Sequence, residues 1–439
     1  MPNTRLRTAA LAAATAALAA GCNLDHTNPT APTQATVLTS RAGVVQLAIG
    51  LQARLGAQTA DFIYPGGLIT DEIGAKVGAL QSYRDAGGGT LDPTYDPVQT
   101  SWNSHYRTVA TANDLLGAAP NVGLGDSTLS GVRALAYFAK AAALGELLQQ
   151  YQQVVLAPAA TNNVYVGRAA ALAAVRALLD SAAARLAAVA PGSEFNGSIL
   201  AAGIDLPNSV AALQARYARL ANDWAATIAA ANRVSPAVYS RIPYSQTTPN
   251  PVSTGFSSYA LPRDTLRLAA EAGDARPAYF ETLTANVAGD SGRVLHPFAQ
   301  YGNPAAPVPV YYPDEVRLLR AEAYANTGQL ALAASDVNAV RTACAAGAPT
   351  PQACLGPLTA AQAGSPAALL AQVYQQRKYA LFATGLRWED ARRLASVGPR
   401  LIARRCWLLY PFGQRNADAS TPADPEAPTP PAAPVASCF

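Results

Sequence analysis

The sequence predicts an all-α fold of stacked helical hairpins carrying a loop-rich lobe, and three observations point there. Half of the 439 residues are apolar, yet only 7% are aromatic and 14% charged. Alanine dominates the apolar share, which suits close helix contacts and leaves too little Val, Ile and aromatic content for a large β-sandwich. Residues 311–341, YYPDEVRLLRAEAYANTGQLALAASDVNAVR, read as two amphipathic helices joined at a glycine. Two long stretches, 59–98 and 236–310, hold no helical period and concentrate Pro, Gly and Tyr. Long irregular excursions inside a helical protein are usually functional or disordered.

In the hairpin, Val316, Leu319 and Ala323 form an apolar stripe that Leu318 broadens. Pro313 suits the first turn, where its missing N–H would have no partner, and Asp314 and Glu315 set negative charge against the positive end of the helix dipole. Gly328 stops the helix because it takes the left-handed conformation at little cost. Leu330, Ala333, Val337 and Val340 then line one face of the second helix. Ala321, Tyr324, Gly328 and Ala333 fall at tetratricopeptide-like offsets, where small residues let two helices approach and the Tyr fills the groove between them.

A companion stretch follows at 374–394, YQQRKYALFATGLRWEDARRL, with Val373, Leu381, Phe382, Leu386 and Leu394 apolar and Gly385 interrupting the helix. The order of the two stretches, followed by Tyr410-Pro411-Phe412-Gly413-Gln414-Arg415-Asn416, resembles the SusD/RagB family of nutrient-binding outer-membrane lipoproteins. Gln376 stands where that family usually has Glu, and Ala383-Thr384-Gly385 replaces its common Phe-Glu-Gly. Asp274-Ala275-Arg276-Pro277 looks like its DPR element. The resemblance runs over nearly all of the chain and is most specific in residues 311–416.

The first 21 residues read as a leader, with Arg5 and Arg7 as a positive n-region and Thr8 to Ala20 as the apolar core. Ala19-Ala20-Gly21-Cys22 reads as a lipobox, with Leu18 one place further upstream than usual, so lipidation is expected at Cys22. A plain secretory signal with a chance cysteine is the alternative. Residues 22–38 would be a polar tether, 39–416 one domain and 417–439 a Pro/Ala-rich tail. Within the domain, 39–235 is helical with the excursion 59–98, 236–310 is a variable lobe, and 311–416 is the C-terminal part. The formal charge of +4 falls to about +2 once the two leader arginines are removed, and no basic cluster favours nucleic acid.

Cys344 and Cys354 lie ten apart in a Gly/Pro-rich loop, which suits a local disulfide, and Cys406 and Cys438 remain as a second pair. Four cysteines allow three connectivities, and the sequence does not choose among them. No CxxC spacing supports a zinc site.

Further helices are expected at 39–58, from Ser101, at 130–152, 168–188 and 209–234. The stretch SWNSHYRTVATANDLL is similar to the family's W…Y..I..AN..L helix, with Trp102, Tyr106, Val109 and Leu116 on the core side. Trp224 is also assigned to the core, and Trp388 and Trp407 to structural positions. The spacing of Tyr217 to Ala226 repeats that of Tyr324 to Ala333. Isolated hairpins cannot bury their apolar faces, so they must stack.

Catalysis finds little support. The three histidines, His26, His105 and His296, have no partner at metal-ligand spacing, and no triad, P-loop or GxSxG is present. No cofactor and no metal is expected. Gly87-Gly88-Gly89 reads as a flexible turn. Glycoside hydrolysis needs two positioned carboxylates. Asp71-Glu72 and Glu389-Asp390 are adjacent and so point different ways, and an exposed helix pairing Glu389 and Asp390 with Arg392 and Arg393 is the stronger reading.

Sugars present apolar faces to aromatic rings and hydroxyls to polar groups. Tyr64, Tyr83, Tyr95, Tyr259, Tyr279 and Tyr301 lie in the two irregular regions and are the candidate ligand contacts; the alternative is that they only anchor their loops. The resemblance implies a surface-exposed outer-membrane lipoprotein. It would hold an oligosaccharide or other nutrient for a TonB-dependent, SusC-like transporter. The rival readings are a tetratricopeptide-type envelope scaffold and a secreted glycoside hydrolase.

Overall fold

The computed structural model describes residues 33–393, 405–425 and Cys438. The leader, Cys22 and most of the tether lie outside these residues, as do Leu394 and much of the tail.

The scaffold is a chain of helices, each packed on the next: α1 (Arg41–Ile69), α2 (Asp96–Ala118), α3 (Asp126–Gln150), α4 (Arg168–Ala188), α5 (Leu206–Leu220), α6 (Trp224–Ala231), α7 (Pro313–Asn326), α8 (Leu330–Arg341) and α9 (Pro366–Ala380), followed by α10 (Arg387–Arg393). Local chemistry fixes several starts. Ser40 accepts a hydrogen bond from the Gly43 N–H, Asp205 from Asn208, Asp223 from Ala226 and Ser365 from Ala368. Each such cap is worth about 1 kcal/mol. Gly328, with φ 76°, ends α7 as its sequence position requires.

Hairpins α5–α6 and α7–α8 stack on one another. Ala211, Ala212 and Ala215 of α5 meet Ala230 and Ala231 of α6 and Val316 and Leu319 of α7. The small side chains let the axes approach, which is what the alanine-rich composition provides. Leu318 and Ala321 of α7 then pack on Val337 and Val340 of α8 and on Val373 and Ala380 of α9.

Between the helices run four two-stranded antiparallel ribbons. β1 (Ile73–Ala75) pairs with β5 (Ala260–Pro262), Ile73 opposite Pro262, and so ties the first excursion to the lobe. β2 (Gln153–Val155) pairs with β3 (Tyr165–Gly167). β4 (Arg241–Ile242) pairs with β8 (Val308–Pro309), and β6 (Val287–Ala288) with β7 (Val294–Leu295). Cys344 is bonded to Cys354 and Cys406 to Cys438.

Five expectations need correcting. The first helix does not end at Gln58 but runs to Ile69 through Pro65, Gly66 and Gly67. Residues 62–69 are all buried, and that burial outweighs the local cost of the breakers. Gly87 and Gly88 form the last turn of a short helix, Gln81–Gly88, with Gly89 as its left-handed cap, and so make no loose turn. Residues 209–234 form two helices, because Asn222 takes φ 57° and Asp223 caps a new helix. Trp224, at the start of that second helix, is only half-buried.

The fifth correction concerns Glu389 and Asp390. Both are buried, and their charges are met from three elements besides their own. Asp390 accepts from Arg219 of α5 at 3.0 Å, Arg377 of α9 at 2.6 Å and Arg393 at 3.1 Å. Glu322 of α7 shares Arg219 at 2.8 Å and also pairs with Arg393. Glu389 pairs with Arg168 of α4 at 2.5 Å and with Arg392 at 2.8 Å. Neighbouring arginines 168 and 392 hold the Glu389 carboxyl below its ordinary range despite the opposing effect of burial. A carboxylate in this dry seam without its guanidinium would be strongly destabilising, so the residues are there together or not at all.

Candidate functional site

The structure brings three of the six candidate tyrosines together. The Tyr64 ring stacks on Phe256 at 3.9 Å and Tyr83 stacks on Tyr259 at 5.0 Å, with Tyr83 edge-on to Phe256. This cluster joins the first excursion to the lobe. Tyr64, Tyr83 and Tyr301 are buried, so their rings belong to the core and offer no platform to a ligand in this conformation. Burial drives the Tyr64 and Tyr301 hydroxyls well above their ordinary pKa, which keeps them neutral. Tyr95 is half-buried and donates to Asp85 at 2.6 Å, and Asp85 pushes its hydroxyl up to about 12. Tyr279 donates to the Pro349 carbonyl at 2.9 Å. Of the six, Tyr95, Tyr259 and Tyr279 keep exposed ring area.

A cleft with sugar-like chemistry lies elsewhere, against α2. It holds about 390 Å³ and is bounded by Trp102, Tyr106, Asn103 and Arg107 on the helix and by Asn163 and Gln414 opposite. Tyr106, half-buried, gives the cleft its aromatic surface, and the buried Trp102 ring backs it at 4.6 Å. Both rings are locked: the Trp102 indole N–H donates to Gln414 Oε1 at 3.3 Å, and Tyr106 Oη accepts from the Val155 N–H at 2.7 Å. Gln414 in turn donates to Tyr165 Oη at 3.1 Å. Asp418 accepts from the Asn163 side chain at 2.7 Å, and hydrogen bonds from Ser420 and Asn163 hold the Asp418 carboxyl well below the usual range. Asn103 and Arg107, one turn apart, are exposed at the lip. The arrangement offers one fixed, half-exposed aromatic ring, fixed amides and exposed polar side chains at the rim, which suits a ring with one apolar face and many hydroxyls.

Sequence reasoning placed Trp102 and Tyr106 on the helix core face, where Trp102 is indeed buried, and missed the cleft beside Tyr106. A helical period shows that a face is apolar but not whether another wall stands off from it. That wall comes from Val155, Pro158, Asn163 and Gln414, far away in sequence.

A larger cleft, about 540 Å³, lies between Ile49, Ala53 and Ala57 of α1, residues 198–204 and residues 242–251. Its polar groups are already used. Gln52 donates to the Ala48 and Ile199 carbonyls and accepts from the Ala201 N–H, and Tyr244 donates to the Gly56 carbonyl. A sugar there would bury hydroxyls without partners, at about 1–3 kcal/mol each.

Among the described residues no cluster of His, Cys, Asp and Glu is placed to hold a metal, and no helix is long and apolar enough to cross a membrane. His105, buried on α2, has Nε2 2.8 Å from Glu146 and Nδ1 2.5 Å from the Ser101 carbonyl, so it is a satisfied core group.

No family model matches the sequence, and no curated protein matches it. Solved structures do. A SusD superfamily protein from Bacteroides vulgatus superposes with a TM-score of 0.68 at 12% identity, over 87% of this chain and 98% of that one. The chain has the SusD-like fold. A second SusD superfamily protein from the same organism gives 0.67 at 14% identity, over 89% of this chain and 100% of that one. A laminarin-binding SusD-like protein gives 0.64 at 16% identity, again over 89% and 100%. The SusD-like architecture thus spans the scaffold, the excursion and the lobe of this chain together, and is not confined to the α7–α8 hairpin.

Proposed function

We propose that this protein captures an oligosaccharide in the cleft lined by Tyr106, Asn103 and Arg107 and hands it to a TonB-dependent, SusC-like barrel. One observation carries the reading: the SusD-like fold over almost the whole chain, shared with a protein that binds laminarin. The chemistry of the cleft supports it, with a locked aromatic ring and fixed amides. The lipobox at Cys22 supports attachment to the outer membrane facing outward. The hydrolase reading loses one of its two carboxylate pairs, because Glu389 and Asp390 are neutralised by arginines. Tyr95, Tyr259 and Tyr279 keep partial exposure but do not line this cleft, so any contact they make with a glycan is at a separate place.

The test is titration with a panel of oligosaccharides. Ala110 is an exposed residue on the cleft wall, so Ala110→Trp fills the cleft without touching the core. The expected result is saturable binding of at least one glycan that falls about tenfold or more in Ala110→Trp, the loss of roughly one good stacking contact. Equal binding by both proteins would remove the cleft from the account, and no binding by either would remove the glycan.

A further inference from the structure

A second pocket, about 150 Å³, opens between the end of α1, the lobe and the C-terminal helices, and Glu72, Asp71, Thr265, Lys378, Phe382 and Arg387 line it. It shares no lining residue with the cleft at Trp102. Its polar groups are incompletely paired. Glu72 is only 8% exposed, and its Oε2 has no hydrogen-bond partner. Arg387 Nη1 is buried and also has none. Buried polar atoms are nearly always paired, so an unpaired donor and an unpaired acceptor on the lining of one pocket mark a place where something else belongs.

The charges show what belongs there. The Arg387 guanidinium lies 4.9 Å from the Tyr374 ring centre, and the Lys378 ammonium 5.0 Å from that of Tyr379. Neither cation forms an ion pair with a carboxylate among the described residues. Asp71 is taken by Arg263, with Arg293 at 3.9 Å from its other oxygen. Glu72 is therefore the one acidic group left to face two cations. Burial pushes its carboxyl up to about 7 against the pull of Arg387, the Ala383 N–H and Lys378, with Asp390 adding to the rise. Burial and the Arg387 charge bring Lys378 down to about 8. The pocket thus keeps a surplus of positive charge on two half-buried cations. A desolvated cation is costly unless an anion meets it.

We propose that this pocket binds a small carboxylate, such as that of an acidic monosaccharide, between the Lys378 ammonium and the Arg387 guanidinium with Glu72 facing it. The carboxylate would accept from Arg387 Nη1 and from Lys378, and a protonated Glu72 would donate to it. Thr265, exposed at the lip, is where the rest of the ligand leaves the pocket. Binding strengthens as pH falls from about 8 to about 6, because Glu72 gains its proton and Lys378 is fully charged. The inference does not depend on glycan binding at Trp102.

The full chain would be titrated with glucuronate and, as a neutral match, glucose, near pH 6 and near pH 8. The expected result is glucuronate binding near pH 6 that is about tenfold weaker near pH 8, with glucose weaker than either. Lys378→Gln lowers glucuronate affinity about tenfold or more, the loss of one charged contact in a desolvated site. Thr265→Trp blocks it from the exposed lip while leaving the core intact. Glu72→Gln still binds and keeps only the pH dependence that Lys378 supplies, and Ala110→Trp binds as the parent does. Equal affinity for glucose and glucuronate would overturn the proposal. So would parent-like binding by both Lys378→Gln and Thr265→Trp, or loss of glucuronate binding in Ala110→Trp, which would move the anion to the other cleft.

Discussion

At Gly145 of α3 an added Cβ would fall 2.0 Å from Tyr217 Oη of α5, so the absence of a side chain is what lets these two helices touch. Gly145→Ala is expected to lower stability by at least ~1–3 kcal/mol through overpacking, read as a drop in unfolding midpoint. An unchanged midpoint would mean that Tyr217 has room to move. Glu281 illustrates a different residue-scale effect. It is buried with neither carboxyl oxygen partnered, and burial pushes it up to about 8, with Arg267 opposing and Asp264 adding. The folded state then holds a proton that the unfolded chain releases near the ordinary 4.5. Its contribution is intact below about 4.5 and is lost as pH rises through 8, at up to about 1.4 kcal/mol per pH unit. Glu281→Gln should therefore melt progressively higher than the parent from pH 5 to pH 8. Parallel melting curves would contradict the assignment.

Among the elements, the buried ion cluster decides how the second half of the scaffold is held. Asp390 of α10 joins α5 through Arg219 and α9 through Arg377, while Glu322 brings in α7. Asp390→Asn leaves three guanidinium contacts short of charge in a dry seam and should cost about 3–5 kcal/mol in denaturant unfolding. A cost below 1 kcal/mol would place the cluster in contact with water. These partners were not legible in the sequence. Glu389-Asp390 with Arg392-Arg393 has the spacing of an exposed, self-paired helix, and only the fold brings Arg168, Arg219 and Arg377 to it. The α7–α8 hairpin was legible because its apolar period, Pro313 and Gly328 agree. The same reasoning cut α1 short at Gln58, since Pro65 and two glycines are local breakers and their burial is a tertiary fact. Residues 209–234 carried a usable signal that was passed over. Asn222 followed by Asp223 is a left-handed turn plus a cap, the chemistry that splits one helix into two.

At the scale of the whole molecule, the fold was readable from the order of its hairpin, companion helix and terminal segment, while the site was not. The tyrosines that looked available are in part core, and Tyr106, read as a helix core residue, keeps a half-exposed ring in the cleft. Aromatic content alone cannot separate these cases; the far wall does, and Asn163 and Gln414 reach it through contacts spanning the chain. The central claim is delivery of a captured glycan to a transporter. Its most direct test is to solubilise native outer membrane, recover this protein and identify what accompanies it. The account predicts a TonB-dependent barrel in stoichiometric amount. Recovery of the protein alone, or with periplasmic assembly factors, would contradict delivery and favour an envelope scaffold.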